Sequence, residues 1–298
     1  MLEKNLLLIV NPKAGQKKAI RYLWEIVDVF NRAGYTVITH ITEKGGTATE
    51  PVLRYARDID LVVCCGGDGT LTETLTGVMQ SGKKIPIGYI PAGSTNDLAS
   101  NLGLAHNIVR AARDIVEGTA ETLDIGSFNG RYFSYVASFG LFTKASYATP
   151  QGLKNIFGHA AYILSGMSEI SQIKTYHLAF TLSDGTKIEG DYIFGAVSNS
   201  TRFGGVLNLS KEYVDLRDGK LELLLIRAPK DILELADCVR AMQQQTYDND
   251  MITFLKDSHF EITAPKSLPW TLDGEKQTGT KVIEIQCLHN AISIYQHS

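Results

Sequence analysis

A run of glycines around an aspartate is the stretch of this chain best suited to chemistry. An apolar run at residues 61–65 is typical of a buried strand, and a glycine-rich turn at residues 66–70 follows it directly. Thr70 is a good N-cap residue, and Glu73 three positions later completes the pattern of a capping box. The glycines are therefore predicted to fill the turn between a strand and a helix.

Asp68 lies in the middle of that turn and limits what the turn could bind. Glycine lets backbone N–H groups approach an anion closely, and a helix N-terminus adds a positive partial charge. A carboxylate repels a bare phosphate, so Asp68 suits a metal-bound phosphate, a positioned hydroxyl group or a proton transfer. The alternative is a tight turn that needs glycine for its geometry, with Asp68 as an ordinary turn residue.

Two other small-residue loops follow predicted strands in the same way. Residues 11–15 come after the first strand, and residues 91–97 come after the fourth. The carboxyl ends of parallel strands are where open α/β sheets bind ligands, so the three loops are expected to line one crevice. The sequence contains no Walker A pattern, and no GxGxxG follows the first strand. A P-loop site and an NAD-type Rossmann site are therefore disfavoured.

Two acidic turns lie in the second half of the chain. Asp273 and Glu275 flank a glycine, which fits a general base for a hydroxyl group or, alternatively, a surface hairpin with solvated acids. Asp215 and Asp218 precede an apolar run. Their carboxylates could hold a hard cation, although a plain Asp-Gly turn is the other interpretation.

The elements that would position these residues divide into two kinds. Strands and helices alternate up to about residue 120, which predicts a doubly wound parallel sheet. After that, short strands with turn signals such as Asn129-Gly130 predict an antiparallel β-sandwich-like or open-barrel domain. We therefore predict an α/β domain over residues 1–125, with residues 288–298 as a candidate addition to it, and a β-rich domain over residues 126–287.

Composition narrows the class of protein. The formal net charge is −3, so no general affinity for nucleic acid is expected. The four cysteines have no metal-site spacing, and no apolar run approaches the roughly 20 residues of a membrane span. We expect a cytoplasmic protein whose membrane contact, if it has any, is peripheral.

Four motifs occur together in this chain: NPKAG, GGDGTLTE, PAGSTNDLA and LDGE. In this order they closely resemble the diacylglycerol kinase-like lipid kinases, a family that includes soluble bacterial diacylglycerol kinases and sphingosine kinases. The resemblance covers nearly the whole chain. It implies an ATP- and Mg²⁺-dependent kinase that phosphorylates the hydroxyl of diacylglycerol or a related lipid. ATP and Mg²⁺ would lie in a cleft between a nucleotide-binding α/β domain and a lipid-acceptor β domain.

Two alternatives remain open beside the lipid kinase. An NAD kinase shares the GGDGT pattern, but the NPKAG loop and the late LDGE fit the lipid kinases better. A non-catalytic lipid- or nucleotide-binding module would have little need of Asp68, Asp273 and Glu275 together.

The resemblance also implies roles for individual residues. Glu275 matches the family's proton acceptor with Asp273 beside it, and Asp68 should lie near the transferred phosphate. Mg²⁺ would be held by Asp215, Asp218 and the backbone carbonyl of Lys220, with Asp124 linked to it through water. The residues expected to line the nucleotide are Asn11, Pro12, Lys13, Ala14, Gly15, Thr42, Gly66, Gly67, Asp68, Gly69, Thr70, Leu71, Thr72 and Ser94.

A kinase without a membrane span must still reach a membrane lipid. The resemblance therefore implies transient membrane association, and it leaves a homodimer open. We expect the aromatic and basic segment 139–173 to face the lipid, with an ordinary core helix as the equally weighted alternative.

Overall fold

The structure is a computed structural model of the 298-residue chain, and it describes residues 4–140, 174–203, 207–209, 212–247 and 249–297. Internal contacts divide the chain into two compact units. The first consists of Met1–Asp124 with His289–Ser298, and the second is Ile125–Leu288. Most of segment 139–173, for which membrane contact was predicted, lies outside the described residues. No described helix is both long and apolar enough to cross a bilayer.

The first unit alternates strands and helices. Its strands are β1 (Lys4–Val10), β2 (Tyr35–Ile41), β3 (Leu61–Gly66) and β4 (Ile87–Pro91). Its helices are a 3₁₀ turn (Ala14–Lys17), α1 (Lys18–Arg21), α2 (Leu23–Arg32), α3 (Thr49–Tyr55), α4 (Asp68–Ser81), α5 (Asp97–Leu102) and α6 (Ile108–Glu117). The helical spacing of the apolar residues in 17–32 would by itself predict a single helix. The structure instead breaks that stretch at Tyr22, the N-cap position of α2.

The strands of the first unit form a parallel sheet in the order β2-β1-β3-β4. The apolar residues of β1 and β3 are buried. Both strands are continuous apolar runs rather than alternating ones, as is typical of parallel strands that are covered on both faces of the sheet. On one face, α2 and α6 share a core with alternate strand residues. Elsewhere in the unit, α4 contacts β3 and packs against α3. The two helices are so close at Gly77 that a Cβ atom added there would lie 2.7 Å from the side chain of Val52.

The second unit is built almost wholly of strands, with one described helix, α7 (Ile232–Gln243). Two of its strands cross the unit boundary along the chain, namely β5 (Thr119–Phe128) and β17 (Val282–Gln296). The strands between them are β6 (Arg131–Phe133), β7 (Val136–Gly140), β8 (Tyr176–Leu182), β9 (Lys187–Ser198), β10 (Arg202–Phe203), β11 (Leu207–Asn208), β12 (Leu221–Arg227), β13 (Ile252–Asp257), β14 (His259–Thr263), β15 (Pro269–Leu272) and β16 (Glu275–Thr278).

The strand pairs of the second unit are antiparallel. Alternation along β12 divides its apolar residues between two cores. Leu223 belongs to one core, and Leu224 belongs to the other. The predicted α/β class, a parallel-sheet domain followed by a β-sandwich-like domain, is confirmed.

Candidate active site

The carboxyl ends of three neighbouring strands of the first unit lie level with one another. Val10 of β1 is paired with Cys65 of β3, and Gly66 of β3 is paired with Pro91 of β4. Backbone hydrogen bonds continue past the strand ends, from Asn11 N–H to the Cys65 carbonyl at 2.9 Å and from Ala92 N–H to the Gly66 carbonyl at 2.7 Å. The three loops predicted to share one crevice therefore start side by side.

Two of these loops touch through glycine backbone. A Cβ atom added to Gly67 would lie 3.2 Å from the Cα of Gly93, and one added to Gly93 would lie 2.5 Å from the Cα of Gly67. Both glycines have ordinary backbone angles, since neither has φ in the left-handed region. Close approach of two backbones, rather than a positive φ, is thus what requires glycine at both positions.

Helix α4 starts at Asp68, and Gly67 is its N-cap residue in an extended conformation. The capping box predicted at Thr70 and Glu73 is therefore wrong, because the N-cap residue is Gly67, three residues before Thr70. The first turn of α4 thus consists of the glycine-rich turn itself. This turn follows β3 directly, so the N-terminus of α4 lies at the carboxyl end of that strand, and Asp68 is its first residue.

Glu73 serves a neighbouring loop instead of the helix terminus. Its Oε1 accepts the backbone N–H of Gly46 at 2.5 Å, and its Oε2 accepts that of Ala48 at 2.9 Å. The hydroxyl of Thr49 also donates to the Glu73 carbonyl at 2.8 Å. One carboxylate therefore fixes the loop after β2, close to Thr42. The pattern of residue types around Glu73 gave no sign of this long-range role.

The remaining loop contacts are made by two asparagines. Asn11 Nδ2 donates to the hydroxyl of Thr70 at 3.0 Å, which ties the NPKAG loop to the first turn of α4. Asn96 accepts the N–H of Gly93 at 2.9 Å and donates to the Gly93 carbonyl at 3.0 Å. Asn96 itself has φ 52°, a left-handed conformation that asparagine tolerates. It positions the Gly93 backbone, and the predicted nucleotide set did not include it.

The other residues predicted to line the nucleotide differ in their exposure. Lys13 and Ser94 are exposed, so their side chains are free to meet a ligand. Ala14, Thr42 and Leu71 are buried, and Thr42 also donates its backbone N–H to the Val10 carbonyl at 2.9 Å. These three side chains are therefore packed inside the first unit. Intermediate exposure is found for Pro12, Gly15, Gly69 and Thr72.

In the second unit, Asp273 and Glu275 lie in one tight hairpin but have different surroundings. Asp273 and Gly274 both have positive φ, at 48° and 79°, as a two-residue type I′ turn between β15 and β16 requires. Asp273 is 5% exposed. Glu275, the first residue of β16, is exposed to solvent.

The two carboxylate oxygens of Asp273 accept hydrogen bonds from four donors. Oδ2 accepts the N–H and hydroxyl of Ser134 at 2.6 and 2.9 Å, and Oδ1 accepts the N–H groups of Tyr135 and Val136 at 3.0 and 3.1 Å. Burial raises the pKa of Asp273, and these hydrogen bonds act in the opposite direction. The geometry is that of a carboxylate which holds the turn before β7, and it leaves Glu275 as the accessible acid.

The predicted cation ligands Asp215 and Asp218 are found in consecutive turns before β12. Asp215 Oδ1 accepts the N–H of Arg217, and Asp218 Oδ1 accepts that of Lys220, both at 3.0 Å. Among the described residues, no group of three or more histidine, cysteine or acidic side chains is arranged to hold a metal ion. Asp218 also receives an ammonium group, because Lys256 Nζ lies 3.1 Å from its Oδ2.

Asp124, the fourth predicted ligand, belongs to the first unit. It is 1% exposed, and its Oδ1 accepts the N–H of Asn290 at 2.7 Å and lies 3.0 Å from His289 Nδ1. These contacts fix the bend in β17, where Asn290 has φ 50°. The described contacts of Asp124 thus support a structural role within this unit.

Comparison with known proteins adds to this geometry. A family model described as the diacylglycerol kinase catalytic domain matches residues 5–128, and one described as the YegS C-terminal NAD kinase beta sandwich-like domain matches residues 136–296. The chain is 30% identical over 274 residues to a diacylglycerol kinase of Bacillus subtilis strain 168, which covers 90% of this chain and 88% of the relative.

Further similar proteins carry the same description. The chain is 29% identical over 276 residues to a diacylglycerol kinase of Staphylococcus carnosus strain TM300, covering 92% of this chain and 89% of that protein. A crystal structure from Bacillus anthracis strain Sterne, described as a candidate diacylglycerol kinase, is similar with a TM-score of 0.79 at 26% identity. The similarity covers 99% of this chain and 95% of that one.

Proposed function

Because this chain belongs to the diacylglycerol kinase family of lipid kinases, we propose that it transfers the γ-phosphoryl group of ATP to the hydroxyl of diacylglycerol or a closely related lipid. The proposed reaction depends on Mg²⁺. Phosphoryl transfer needs positioned reactants and neutralised charge more than covalent help from the protein. The proposal therefore has to account for a phosphate cradle, a proton acceptor and a route to the lipid.

The contact between Gly67 and Gly93 is the single observation that carries the proposal. Two loops meet there without any side chain between them, directly at the N-terminus of the 14-residue helix α4. Free N–H groups and the helix dipole together favour an anion at such a position. We assign this cradle to the phosphates of ATP, with Asn11 and Asn96 holding its two sides.

Asp68 distinguishes this cradle from a simple anion site. It lies in the first turn of α4, where a carboxylate is stabilised by the helix dipole but repels a bare phosphate. We assign Asp68 to the region of the transferred phosphoryl group. When bound, Mg²⁺ would neutralise the phosphate charge and remove this repulsion.

Glu275 is the proposed general base. In the proposed step its carboxylate takes the proton of the lipid hydroxyl while that oxygen forms a bond to the γ-phosphorus. The bond from the γ-phosphorus to its bridging oxygen breaks, and ADP leaves with the electron pair. An exposed carboxylate can accept this proton. Asp273 has both oxygens engaged by four donors, so we assign it the positioning of the turn that carries Glu275.

The loop 214–220 is the proposed site of a structural cation. Carboxylate and carbonyl oxygens are the ligands that Mg²⁺ prefers, and Asp215, Asp218 and the carbonyl of Lys220 would supply them. Asp215 is exposed and keeps one carboxylate oxygen clear of the hydrogen bond to Arg217. The residues present therefore fit a hard cation, with water completing its coordination.

A second stretch of the chain supports contact with a membrane. Trp24 is 78% exposed, and Tyr22 and Ile20 are 42% and 37% exposed. Lys17 and Arg21, which are also exposed, lie in the same short stretch. Apolar and aromatic side chains beside cations favour the interface of an anionic bilayer. We propose that residues 17–24 contact the membrane transiently while the protein remains cytoplasmic.

A phosphotransfer assay tests the proposed function directly. Radiolabelled ATP and Mg²⁺ would be supplied with a panel of lipids in mixed micelles, and NAD would serve as a competing acceptor. Labelled phosphatidic acid from diacylglycerol is the expected product. Labelled NADP without any labelled lipid would overturn the proposal, and so would the absence of transfer to every acceptor by a folded protein.

A further inference from the structure

Lys256 lies between two carboxyl groups, those of Asp218 in loop 214–220 and of Glu222 in β12. It lies on β13 directly opposite Glu222 of β12 in the antiparallel register. Its Nζ is 3.1 Å from Oδ2 of Asp218 and 3.5 Å from Oε1 of Glu222. One ammonium group is thus within ion-pair distance of a carboxyl group in the loop and of another in the strand that follows the loop.

Glu222 is the buried partner of this ammonium group. Its side chain is wholly buried on the face of β12 that also carries Leu224 and Ile226. Neither of its carboxylate oxygens has a hydrogen-bond partner among the described residues. Lys256 is kept near Glu222 by the register of β12 and β13, which sets the two residues opposite each other.

Asp218 is different because it has a second possible cation. Its Oδ1 is engaged by the N–H of Lys220, so Oδ2, which contacts Lys256, is the oxygen directed away from its own turn. A divalent ion held by Asp215 and Asp218 would meet the positive charge of Lys256 at the same carboxylate. Two cations at one carboxylate repel each other at short range.

We propose that Lys256 is a built-in competitor of the divalent cation at loop 214–220. The lysine pairs with Asp218 while no metal is bound, and it has to release Asp218 when a metal ion binds. After release the strand register keeps it beside Glu222. The inference rests on the cation loop of the proposed function, and it adds a residue that sets the affinity of that loop.

Thermal unfolding without nucleotide tests this idea, because only the metal of the loop is then observed. The melting temperature of the wild type and of Lys256→Met would be measured over a Mg²⁺ titration that starts in EDTA. We expect Lys256→Met to melt lower than the wild type in EDTA. We also expect its half-saturating Mg²⁺ concentration to fall by on the order of tenfold, since one repelling charge is lost near the ion. Lys266→Met is the matched control, because it removes an exposed lysine of the same unit without described ion pairs.

A double variant covers the case in which Lys256→Met does not fold. Glu222→Gln with Lys256→Met removes both ionisable groups of the cross-strand pair and leaves Asp218 without this ammonium group, so the Mg²⁺ midpoint of the double variant should fall as well. An unchanged midpoint in a folded variant, with clear stabilisation of the wild type by Mg²⁺, would overturn the competition alone. No stabilisation by Mg²⁺ in any of these proteins would overturn the cation loop with it. The phosphotransfer assay judges the kinase function separately.

Discussion

A methyl group placed on Gly93 would lie 2.5 Å from the Cα atom of Gly67, well inside the normal contact distance of two carbon atoms. The second and third loops of the crevice therefore meet at a point where Gly93 leaves no room for a side chain and Gly67 leaves little. Asn96 adds to the constraint, because its Oδ1 would lie 2.7 Å from the same methyl group.

Gly93→Ala should accordingly separate the two loops and weaken ATP binding by roughly tenfold or more, because overpacking typically costs about 1–3 kcal/mol. Gly67→Ala should lose less, since its Cβ would lie 3.2 Å from the neighbouring backbone. Isothermal calorimetry on proteins with unchanged circular dichroism measures both. Wild-type ATP affinity in both folded variants would contradict the proposed phosphate cradle.

Glu73→Ala should raise the KM for ATP several-fold while kcat changes by less than about twofold. The substitution releases the N–H groups of Gly46 and Ala48, and hydrogen bonds to a charged group contribute about 1.5–3 kcal/mol. A mobile loop weakens substrate binding without touching the reacting atoms. Steady-state kinetics measures this.

Glu50→Gln is the matched control for Glu73, because that exposed carboxylate is paired only with Arg54 on its own helix among its described contacts. The control should behave as the wild type. A fall in kcat with an unchanged KM in Glu73→Ala would instead mean that Glu73 acts on the chemical step.

Glu275→Gln should lower kcat by at least about 10²-fold, the low end for loss of a general base, with ATP affinity and melting temperature unchanged. Asp273→Asn should behave differently, because an amide replaces one acceptor oxygen with a donor that faces the N–H and hydroxyl groups of the turn. That variant should lose stability. A stable Asp273→Asn protein without activity, beside an active Glu275→Gln protein, would reverse the two assignments.

Trp24→Ser should reduce binding to vesicles that contain an anionic lipid and should lower activity on diacylglycerol in those vesicles. Activity on a short-chain, water-soluble diacylglycerol should persist, because Trp24 is 78% exposed and is not among the residues assigned to the nucleotide or to the proton transfer. Vesicle sedimentation and paired kinetic assays measure the difference. Leu233→Ser, which changes another exposed apolar residue, is the control. Equal losses on both substrates would argue against membrane contact through residues 17–24.

Local pattern alone was enough to predict the architecture. Buried parallel strands have apolar runs without alternation, as at Leu61–Gly66, and helices repeat their apolar positions with a period near 3.6 residues. The order of strands and small-residue loops then implied one shared edge of the sheet. Likewise Asn129-Gly130 predicted a hairpin, and both residues have the positive φ values that a type I′ turn needs.

Only the tertiary structure decided which groups each carboxylate contacts. Glu73 has the spacing of a capping-box residue, yet the N-cap residue of α4 is Gly67, and the Glu73 carboxylate accepts the backbone N–H of Ala48, 25 residues away. Asp273 and Glu275 look equivalent in sequence, but the turn buries the first among four donors and leaves the second in solvent.

The cross-strand cluster has the same cause. Lys256 meets Glu222 only because the register of β12 and β13 sets them opposite each other. Strand register depends on packing over the whole sheet, which spacing along the chain does not encode. Periodicity therefore predicted the elements and the edge at which the loops meet, whereas contacts between residues far apart in sequence assigned each carboxylate its role.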